Sequence, residues 1–315
     1  MLNQISNENL QLFVGQAGGA DALLYFGQKT TDEIELRLDL KKMNYGMKLI
    51  PVAIDTLIFG DEEFRYGDMV SPRPLGIGHI ESRLALPKGV SQSIGFDSLK
   101  SWRVYHFEDT SHSAKIKKTN DINDNLMLRP DASNLAAFLY FLREIHRSHY
   151  DSIVKTIRLV APFFDDFNLQ RSRLNFDKIL LEWHEKGSDA YFNASTLSDG
   201  TLRFMCLATL LMQPDLPSTI LIDEPELGLH PYAITLLAGM LRSAAARTQV
   251  IVSTQSVTLV NQFAPEDIIV VDREDDEDGR TQSVFKRLKQ ENLDDWLEEY
   301  SLGELWEKNV LGGRP

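Results

Sequence analysis

One stretch of sequence limits what this chain can fold into. Residues 218–231 read Ser-Thr-Ile-Leu-Ile-Asp-Glu-Pro-Glu-Leu-Gly-Leu-His-Pro. The apolar run before Asp223 predicts a short strand buried on both faces, which Pro225 ends. Pro231 suits the first turn of a following helix. We therefore expect an α/β fold in which Asp223 and Glu224 lie at the carboxyl end of a strand, where open α/β sheets bind ligands.

The two adjacent carboxylates suggest phosphate chemistry. An Asp at this place can hold Mg²⁺, directly or through a water molecule. A neighbouring Glu can polarise the water that attacks a phosphorus atom. The competing interpretation is an ordinary strand followed by an acidic turn, which is a common arrangement. Two other stretches favour the first interpretation.

The upstream stretch, residues 196–203, reads Thr-Leu-Ser-Asp-Gly-Thr-Leu-Arg and precedes an apolar helical run. Ser198 is a good N-cap, and Gly200 allows close backbone approach. Free N–H groups at such a helix start are suited to bind phosphate. The downstream stretch, residues 249–256, reads Gln-Val-Ile-Val-Ser-Thr-Gln-Ser and predicts a second buried strand that ends in polar side chains. A helix between the two strands predicts a right-handed crossover with parallel strands.

Together these pieces resemble those of ATP-binding-cassette-type ATPases of the SMC, RecF and overcoming-lysogenisation-defect group. Residues 197–201 are similar to the signature motif, and residues 220–225 resemble Walker B with the catalytic Glu. Residues 226–231 occupy the place of the D-loop, and residues 253–256 the switch position, where many members have His. The resemblance is nearest to a bacterial subgroup of AAA-type ATPases and covers most of the chain.

The resemblance implies a P-loop NTPase fold of the ABC-ATPase type. We expect the remainder of an antiparallel N-terminal ATPase lobe at residues 1–115 and a helical insertion at residues 116–175. A RecA-like parallel-sheet lobe, with signature, Walker B, switch and C-terminal helices, is expected at residues 176–315. The Walker A loop, Gly-x-x-x-x-Gly-Lys-Ser/Thr, does not occur in the sequence. We therefore expect the N-terminal strand and phosphate loop to be missing, in either a truncated or a diverged member.

The resemblance also implies a site. Asp223 would hold Mg²⁺, and Glu224 would be the general base. Gln255 would be the second catalytic residue and would sense the γ-phosphate in cis. Ser198, Asp199 and Gly200 would bind the nucleotide, with Ser198 and Gly200 touching the γ-phosphate in trans. ATP would bind between Walker A/B of one subunit and the signature helix of the other, in a head-to-tail homodimer. A separate nuclease-type effector and DNA are further candidate partners, in DNA repair or anti-phage defence. The rival interpretation is a catalytically inactive cassette-fold scaffold without ATP turnover.

The net charge and composition of the chain argue against several classes of protein and of site. A net charge of −13 argues against a general nucleic-acid binder. The lone cysteine, Cys206, lies in the apolar helical run and predicts a buried core thiol rather than a disulfide. No apolar run reaches the length of a membrane span and no signal peptide opens the chain, so the expected compartment is the cytoplasm. His106 and His112 fit no metal-site spacing and are interpreted as structural or surface residues.

Several local predictions concern the two ends of the chain. Residues 32–40, 45–52 and 56–64 predict antiparallel strands, with a turn at residues 44–46. Residues 10–14 predict either a short strand or the tail of a helical region. Residues 68–100 predict an irregular connection, and residues 274–279 a solvated hairpin loop. Residues 268–272 predict a third buried strand. The N-terminal strand that we expect to be missing is normally central in the sheet. Its loss would leave the neighbouring strands with unpaired backbone groups or a groove between them.

Overall fold

The structure is a computed structural model that describes residues 1–40, 43–67, 69–84, 99–276 and 279–313. Packing divides the chain into two compact units, of which the first contains Met1–Arg103 and Pro217–Thr219. The second contains Val104–Leu216 and Ile220–Pro315. The predicted boundaries at residues 115 and 175 stay predictions. Residues 68 and 85–98 of the predicted connection, and positions 277 and 278 of the predicted hairpin loop, lie outside the described residues.

The first unit combines short helices with an antiparallel sheet. Its helices are α1 (Leu2–Ser6), α2 (Leu10–Gln16) and α3 (Ala20–Leu23). Its strands, in the sheet order β1-β2-β3-β4, are β1 (Ile34–Leu40), β2 (Met43–Val52), β3 (Thr56–Tyr66) and β4 (Arg73–Pro74). Each adjacent pair is antiparallel, which confirms the antiparallel strands expected here. The helices supply apolar side chains such as Leu10 and Val14 to the same core as the strands.

Two local predictions in this unit needed the structure to decide them. Residues 10–14 lie in α2, so the helical alternative is correct. The turn predicted at residues 44–46 is wrong, because these residues lie inside β2, paired with β1 and β3. Tyr45 and Met47 are each only 2% exposed, on the core face of that strand. Burial of these large side chains outweighs the turn preference of the Asn-Tyr-Gly sequence.

The second unit is an α/β assembly of short sheets and longer helices. From residue 103 onward the strands are β5 (Arg103–Tyr105), β6 (Asn120–Asp121), β7 (Phe164–Asn168), β8 (Lys178–Ile179), β9 (Glu182–Glu185), β10 (Tyr191–Asn193), β11 (Thr219–Asp223), β12 (Gln249–Ser253), β13 (Ile269–Asp275) and β14 (Thr281–Arg287). The helices are α4 (Leu135–Ile145), α5 (Arg147–Val160), α6 (Asp199–Met212), α7 (Pro231–Ala245), α8 (Val257–Val260), α9 (Asp294–Leu297) and α10 (Leu302–Glu307). The sheet orders are β12-β11-β5, β10-β9-β7, β13-β14 and β6-β8.

Helix α6 is at the centre of this unit. Ten consecutive residues of it are buried, and the eight apolar ones join one large apolar cluster with residues of β11 and α7. Cys206 is 2% exposed within that helix, and burial raises the pKa of its thiol well above the ordinary value. The predicted core thiol is therefore confirmed. None of the helices in the described part of the chain has both the length and the apolar character needed to cross a membrane.

The three strands predicted to be buried differ in their environments. Ile220 and Ile222 of β11 are 0% and 3% exposed, as predicted. Strands β12 and β13 are more exposed than predicted, since Ile251 and Ile269 are 47% and 46% exposed. Within the described residues β12 ends its three-stranded sheet and β13 pairs only with β14, so each lacks a neighbour on one side. The apolar composition of these strands suits deeper burial than they have here.

Candidate functional site

The carboxyl ends of β11 and β12 meet at one place. The Ser253 hydroxyl donates a hydrogen bond to the Asp223 carboxylate, and the Glu224 N–H donates to the Ser253 carbonyl oxygen at 2.9 Å. Asp223 and Ser253 are the last residues of their strands, so the two neighbouring strands run parallel. Helix α7 connects them, which is the crossover that the sequence predicts.

The two residues predicted as catalytic lie together at this edge. The Gln255 side-chain amide donates to Glu224 Oε1 at 3.4 Å. Glu224 has a φ of +39°, in the left-handed region that a non-glycine residue enters at a cost of about 1–3 kcal/mol. The neighbouring Thr254 hydroxyl donates to the Glu226 carboxylate. These contacts fix the turn after β11 against the turn after β12.

The predicted signature residues begin helix α6. Ser198 is its N-cap, and the Ser198 hydroxyl oxygen accepts a hydrogen bond from the Thr201 N–H at 3.2 Å. Ser198 and Asp199 are exposed, and Asp199 lies in the first turn, where a negative charge favours the helix. In the described part of the chain, no hydrogen bond joins residues 198–200 to the carboxylates at 223 and 224. The structure therefore brings Asp223, Glu224 and Gln255 together, whereas the signature residues form a separate group.

Helix α6 nevertheless packs against the loop that follows β11. A Cβ on Gly200 would lie 3.1 Å from the Gly228 carbonyl carbon and closer still to its oxygen. Arg203, which is 7% exposed, donates from Nε to the Phe107 carbonyl oxygen at 3.0 Å and from Nη1 to the Leu227 carbonyl oxygen. The close backbone approach predicted at Gly200 is thus present, and its partner, the Gly228 carbonyl group, is what the sequence alone did not reveal. Arg203 thus links helix α6 to the segment after β5 and to the loop after β11 by donating to their backbone oxygens.

The structure also adds two side chains that sequence reasoning did not place in the site. His106 and Glu108 follow β5, and one ligand atom from each lies within 4.8 Å of the other and of an Asp223 carboxylate oxygen. All three residues are exposed. The available signal was the alternation of residues after β5, which puts positions 106 and 108 on the same side of an extended segment. A small cavity beside them is lined by Phe107, Glu108, Arg203, Leu207, Ile222, Asp223, Glu224 and Pro225.

Comparisons with known proteins show the family and the fold of the chain. The family model described as "AAA domain, putative AbiEii toxin, Type IV TA system" matches residues 58–261. Phosphate import ATP-binding protein PstB of Mycoplasma genitalium is 26% identical over 116 residues, which are 36% of this chain and 34% of that protein. PstB of Mycoplasma pneumoniae is 27% identical over 116 residues, with the same shares. The chain thus spans about a third of the length of the curated relatives it matches.

Solved structures of SMC heads are similar in fold. An SmcHead bound to the C-winged helix domain of ScpA gives a TM-score of 0.51 at 13% identity, and the match covers 92% of this chain and 88% of that one. An Smc head domain with an extended coiled coil, bound to the C-terminal domain of ScpA and derived from Pyrococcus furiosus, gives a TM-score of 0.45 at 13% identity, covering 95% and 89%. The match to the SmcHead structure, at a TM-score of 0.51, shows that the fold is α/β and of the SMC-head P-loop ATPase type. Since the family model matches more than half of its residues, the chain belongs to the AAA domain family described above, among ABC/SMC-like ATPases.

Proposed function

We propose that this chain supplies the Walker B, signature and switch segments of an ATPase that hydrolyses ATP as a head-to-tail homodimer. The observation that carries the proposal is the meeting of Asp223, Glu224 and Gln255 at the carboxyl ends of two parallel strands. Ligands bind at this edge in open α/β sheets. An acidic turn of no function would not require Glu224 to adopt a left-handed backbone conformation beside Gln255.

Each residue of this group has a distinct proposed role. The exposed Asp223 carboxylate suits a Mg²⁺ ion, which binds oxygen ligands and would neutralise charge on the phosphates. Glu224 would accept the proton of the attacking water as general base. The Gln255 amide can donate a hydrogen bond to a phosphate oxygen but carries no charge. We expect it to stabilise the transition state less than a protonated His would.

The signature helix is proposed to act on the partner subunit's nucleotide. Ser198, Asp199 and Gly200 form an exposed or half-exposed helix start whose N–H groups and dipole favour phosphate. The trans role is the one that the resemblance to ABC-type ATPases implies for Ser198 and Gly200. Arg203 and the Gly200–Gly228 contact tie this helix to the loop after Glu224. Binding in trans would thereby be communicated to the carboxylates of the same subunit.

The phosphate cradle of this family has no counterpart in the 315 residues, because the Walker A sequence does not occur among them. That loop supplies N–H groups around the β-phosphate and a Lys for the β- and γ-phosphates. The remaining contacts, from the signature residues and Gln255 to the outer phosphate, would contribute on the order of 1–3 kcal/mol each to binding. We therefore expect this polypeptide alone to bind Mg-ATP weakly. A cassette-fold scaffold without turnover is the second candidate, and the missing loop favours it.

The biological setting is proposed from the family and the chemistry of the chain. The family description names a toxin of a type IV toxin–antitoxin system, which supports a role in anti-phage defence over one in DNA repair. A separate nuclease-type effector would then act beside the ATPase, and a local basic surface would contact any DNA. The single buried Cys206 thiol suits a reducing compartment, and we place the protein in the cytoplasm.

A first test separates the enzyme from the scaffold. The DNA upstream of the Met1 codon should be read for an in-frame Gly-x-x-x-x-Gly-Lys-Ser/Thr, whose presence supports the enzyme and whose absence supports the scaffold.

In the form that carries this loop, Glu224→Gln should abolish hydrolysis, keep ATP bound and accumulate a dimer on sizing chromatography. The exposed Glu298→Gln is the matched control and should hydrolyse ATP normally. Normal hydrolysis by Glu224→Gln would overturn the assignment of the base.

A second test concerns the shared site. Ser198→Arg should block dimer formation and leave ATP affinity of the monomer nearly unchanged. A mixture of Ser198→Arg with Glu224→Gln contains one composite site free of both substitutions. Partial hydrolysis by that mixture, above that of either variant alone, supports sites shared between subunits. Full activity of Ser198→Arg alone would rule out a role in trans.

A further inference from the structure

The extended segment after β5 presents two metal-ligating side chains on one side. Tyr105 and Phe107 are 1% and 7% exposed, whereas His106 and Glu108 are exposed. This is the alternation of an extended backbone, in which residues two apart lie on the same side. The buried rings on one side therefore hold the imidazole of His106 and the carboxylate of Glu108 on the other.

The backbone of this segment is anchored at consecutive residues. The His106 N–H donates to the Pro130 carbonyl oxygen at 3.0 Å. The buried Arg203 guanidinium donates from Nε to the Phe107 carbonyl oxygen at 3.0 Å. On the opposite side of the group, Asp223 is the last residue of β11 and accepts a hydrogen bond from Ser253. The ligand atoms are thus carried by two anchored backbone segments.

The spacing of the three side chains fits a single ion. One ligand atom from each of His106, Glu108 and Asp223 lies within 4.8 Å of the others. Neighbouring ligands at about 2.1 Å from one metal ion are about 3 Å apart, so the three ligand atoms would have to close by up to about 1.8 Å. Small changes in the side-chain torsions of exposed residues can supply it. Three protein ligands leave at least one coordination position for water or substrate.

The charge of the group favours a cation. Glu108 and Asp223 bring two carboxylates close together, and neither forms an ion pair with a basic side chain among the described residues. The nearby Arg203 directs its guanidinium N–H groups to carbonyl oxygens rather than to these carboxylates. A divalent ion would relieve the repulsion between the two negative charges.

We propose that His106, Glu108 and Asp223 bind a divalent first-row transition-metal ion directly and without nucleotide. One imidazole with two carboxylates suits ions such as Mn²⁺, Fe²⁺, Co²⁺ and Zn²⁺, whereas Mg²⁺ prefers oxygen ligands and loses its waters reluctantly. The site goes beyond the proposed function, with which it shares Asp223. His106 is the ligand that selects the metal class, and Glu108 supplies the second charge.

The test uses Co²⁺ as the probe, in nucleotide-free buffer with the whole 315-residue chain and an excess of Mg²⁺. Isothermal titration and the visible absorption of bound Co²⁺ should report one ion per chain. His106→Ala and, separately, Glu108→Gln should each weaken Co²⁺ binding by about tenfold or more. His112→Ala, six residues along from His106 and outside the group, should bind Co²⁺ like the unchanged chain. Circular dichroism checks that each variant is folded.

Three results would overturn the proposal. They are the absence of Co²⁺ binding, unchanged binding in both His106→Ala and Glu108→Gln, and full displacement of Co²⁺ by Mg²⁺. Because nucleotide is absent, these results are independent of whether the chain hydrolyses ATP. Conversely, hydrolysis that survives Glu224→Gln would refute the proposed general base and leave the Co²⁺ titration unaffected.

Discussion

Gly200 and Gly228 approach so closely that a side chain on Gly200 would overlap the Gly228 carbonyl group. A Cβ there would be 3.1 Å from the Gly228 carbonyl carbon, and the obstacle is backbone rather than a flexible side chain. Gly228 itself has a φ of +76°, which favours glycine. The helix that begins at Asp199 is therefore in backbone contact with the loop that follows Glu224. This contact requires glycine at position 200 for reasons of packing alone.

Gly200→Ala should destabilise the protein. The added methyl group cannot be accommodated without moving backbone, and overpacking of this kind costs about 1–3 kcal/mol. Gly239→Ala in helix α7 is the control, because nothing lies within 4 Å of its Cβ position. It should raise the free energy of unfolding by about 0.5–1 kcal/mol through helix propensity. Urea unfolding followed by circular dichroism measures both changes, and equal effects of the two substitutions would contradict the contact.

Arg203→Met should also destabilise the second unit. The guanidinium of this buried residue donates to the carbonyl oxygens of Phe107 and Leu227, which would lose a partner. An unsatisfied buried acceptor costs about 1–3 kcal/mol. Arg158→Met is the matched control, since Arg158 pairs with Asp165 at the surface and such pairs contribute about 0–1 kcal/mol. Urea unfolding compares the two variants. An Arg203→Met protein as stable as Arg158→Met would show that these bonds contribute little.

The sequence predicts the position of Asp223 and Glu224 at the end of β11 correctly, because neighbouring residues in the chain determine it. An apolar run followed by two carboxylates predicts a buried strand with those carboxylates at its carboxyl end, and β11 with Asp223 and Glu224 has this arrangement. The contact between Gly200 and Gly228 and the position of Glu108 depend on tertiary packing, which spacing does not report. The turn expected at residues 44–46 failed for a similar reason, since the burial of Tyr45 is decided by distant residues.

The burial of Tyr45 belongs to a polar network in the first unit. Glu62 is 0% exposed, and its carboxylate accepts hydrogen bonds from the hydroxyls of Tyr45 and Ser82, each at 2.6 Å. His79 Nε2 lies 2.8 Å from the same carboxylate, and the Arg83 N–H donates to it at 3.0 Å. A buried carboxylate is tolerated only with such partners. The network therefore holds residues 79–83 against strands β2 and β3.

Glu62→Ala should be among the most destabilising substitutions in the first unit. It leaves several buried donors without an acceptor, and breaking a buried charged network by removing one partner costs about 3–5 kcal/mol. Glu63→Ala is the control, since Glu63 is adjacent in sequence but only half-buried, and should cost less than about 1 kcal/mol. Urea unfolding distinguishes the two. Similar losses in both variants would show that the network does not stabilise the unit.

Stability should fall at high pH through Tyr45. Burial, and then the neighbouring Glu62 carboxylate, raise the pKa of Tyr45 above its ordinary value. The phenol therefore loses its proton at a higher pH in the folded state than in the unfolded state. Its contribution to the free energy of unfolding is complete below about pH 10 and is lost as pH rises above that value. Tyr45→Phe should be less stable at neutral pH and should show a shallower decline above about pH 10. Urea unfolding at several pH values measures the slope, and parallel declines would contradict the assignment.

Strand β12 gives two adjacent positions that should respond oppositely to a charge. Ile251 is 47% exposed on a strand that ends its sheet among the described residues, whereas Val252 packs against the main apolar cluster. An exposed apolar edge strand promotes pairing with other chains, and a Lys there opposes it. Ile251→Lys should therefore lower self-association, measured by light scattering at rising concentration, and change the free energy of unfolding by less than about 0.5 kcal/mol.

Val252→Lys should lower the free energy of unfolding by about 1–3 kcal/mol, measured in urea, because it brings a charge against the core. If Ile251→Lys is as destabilising as Val252→Lys, then β12 is covered in solution, and the deeper burial that its apolar sequence predicts would be correct after all.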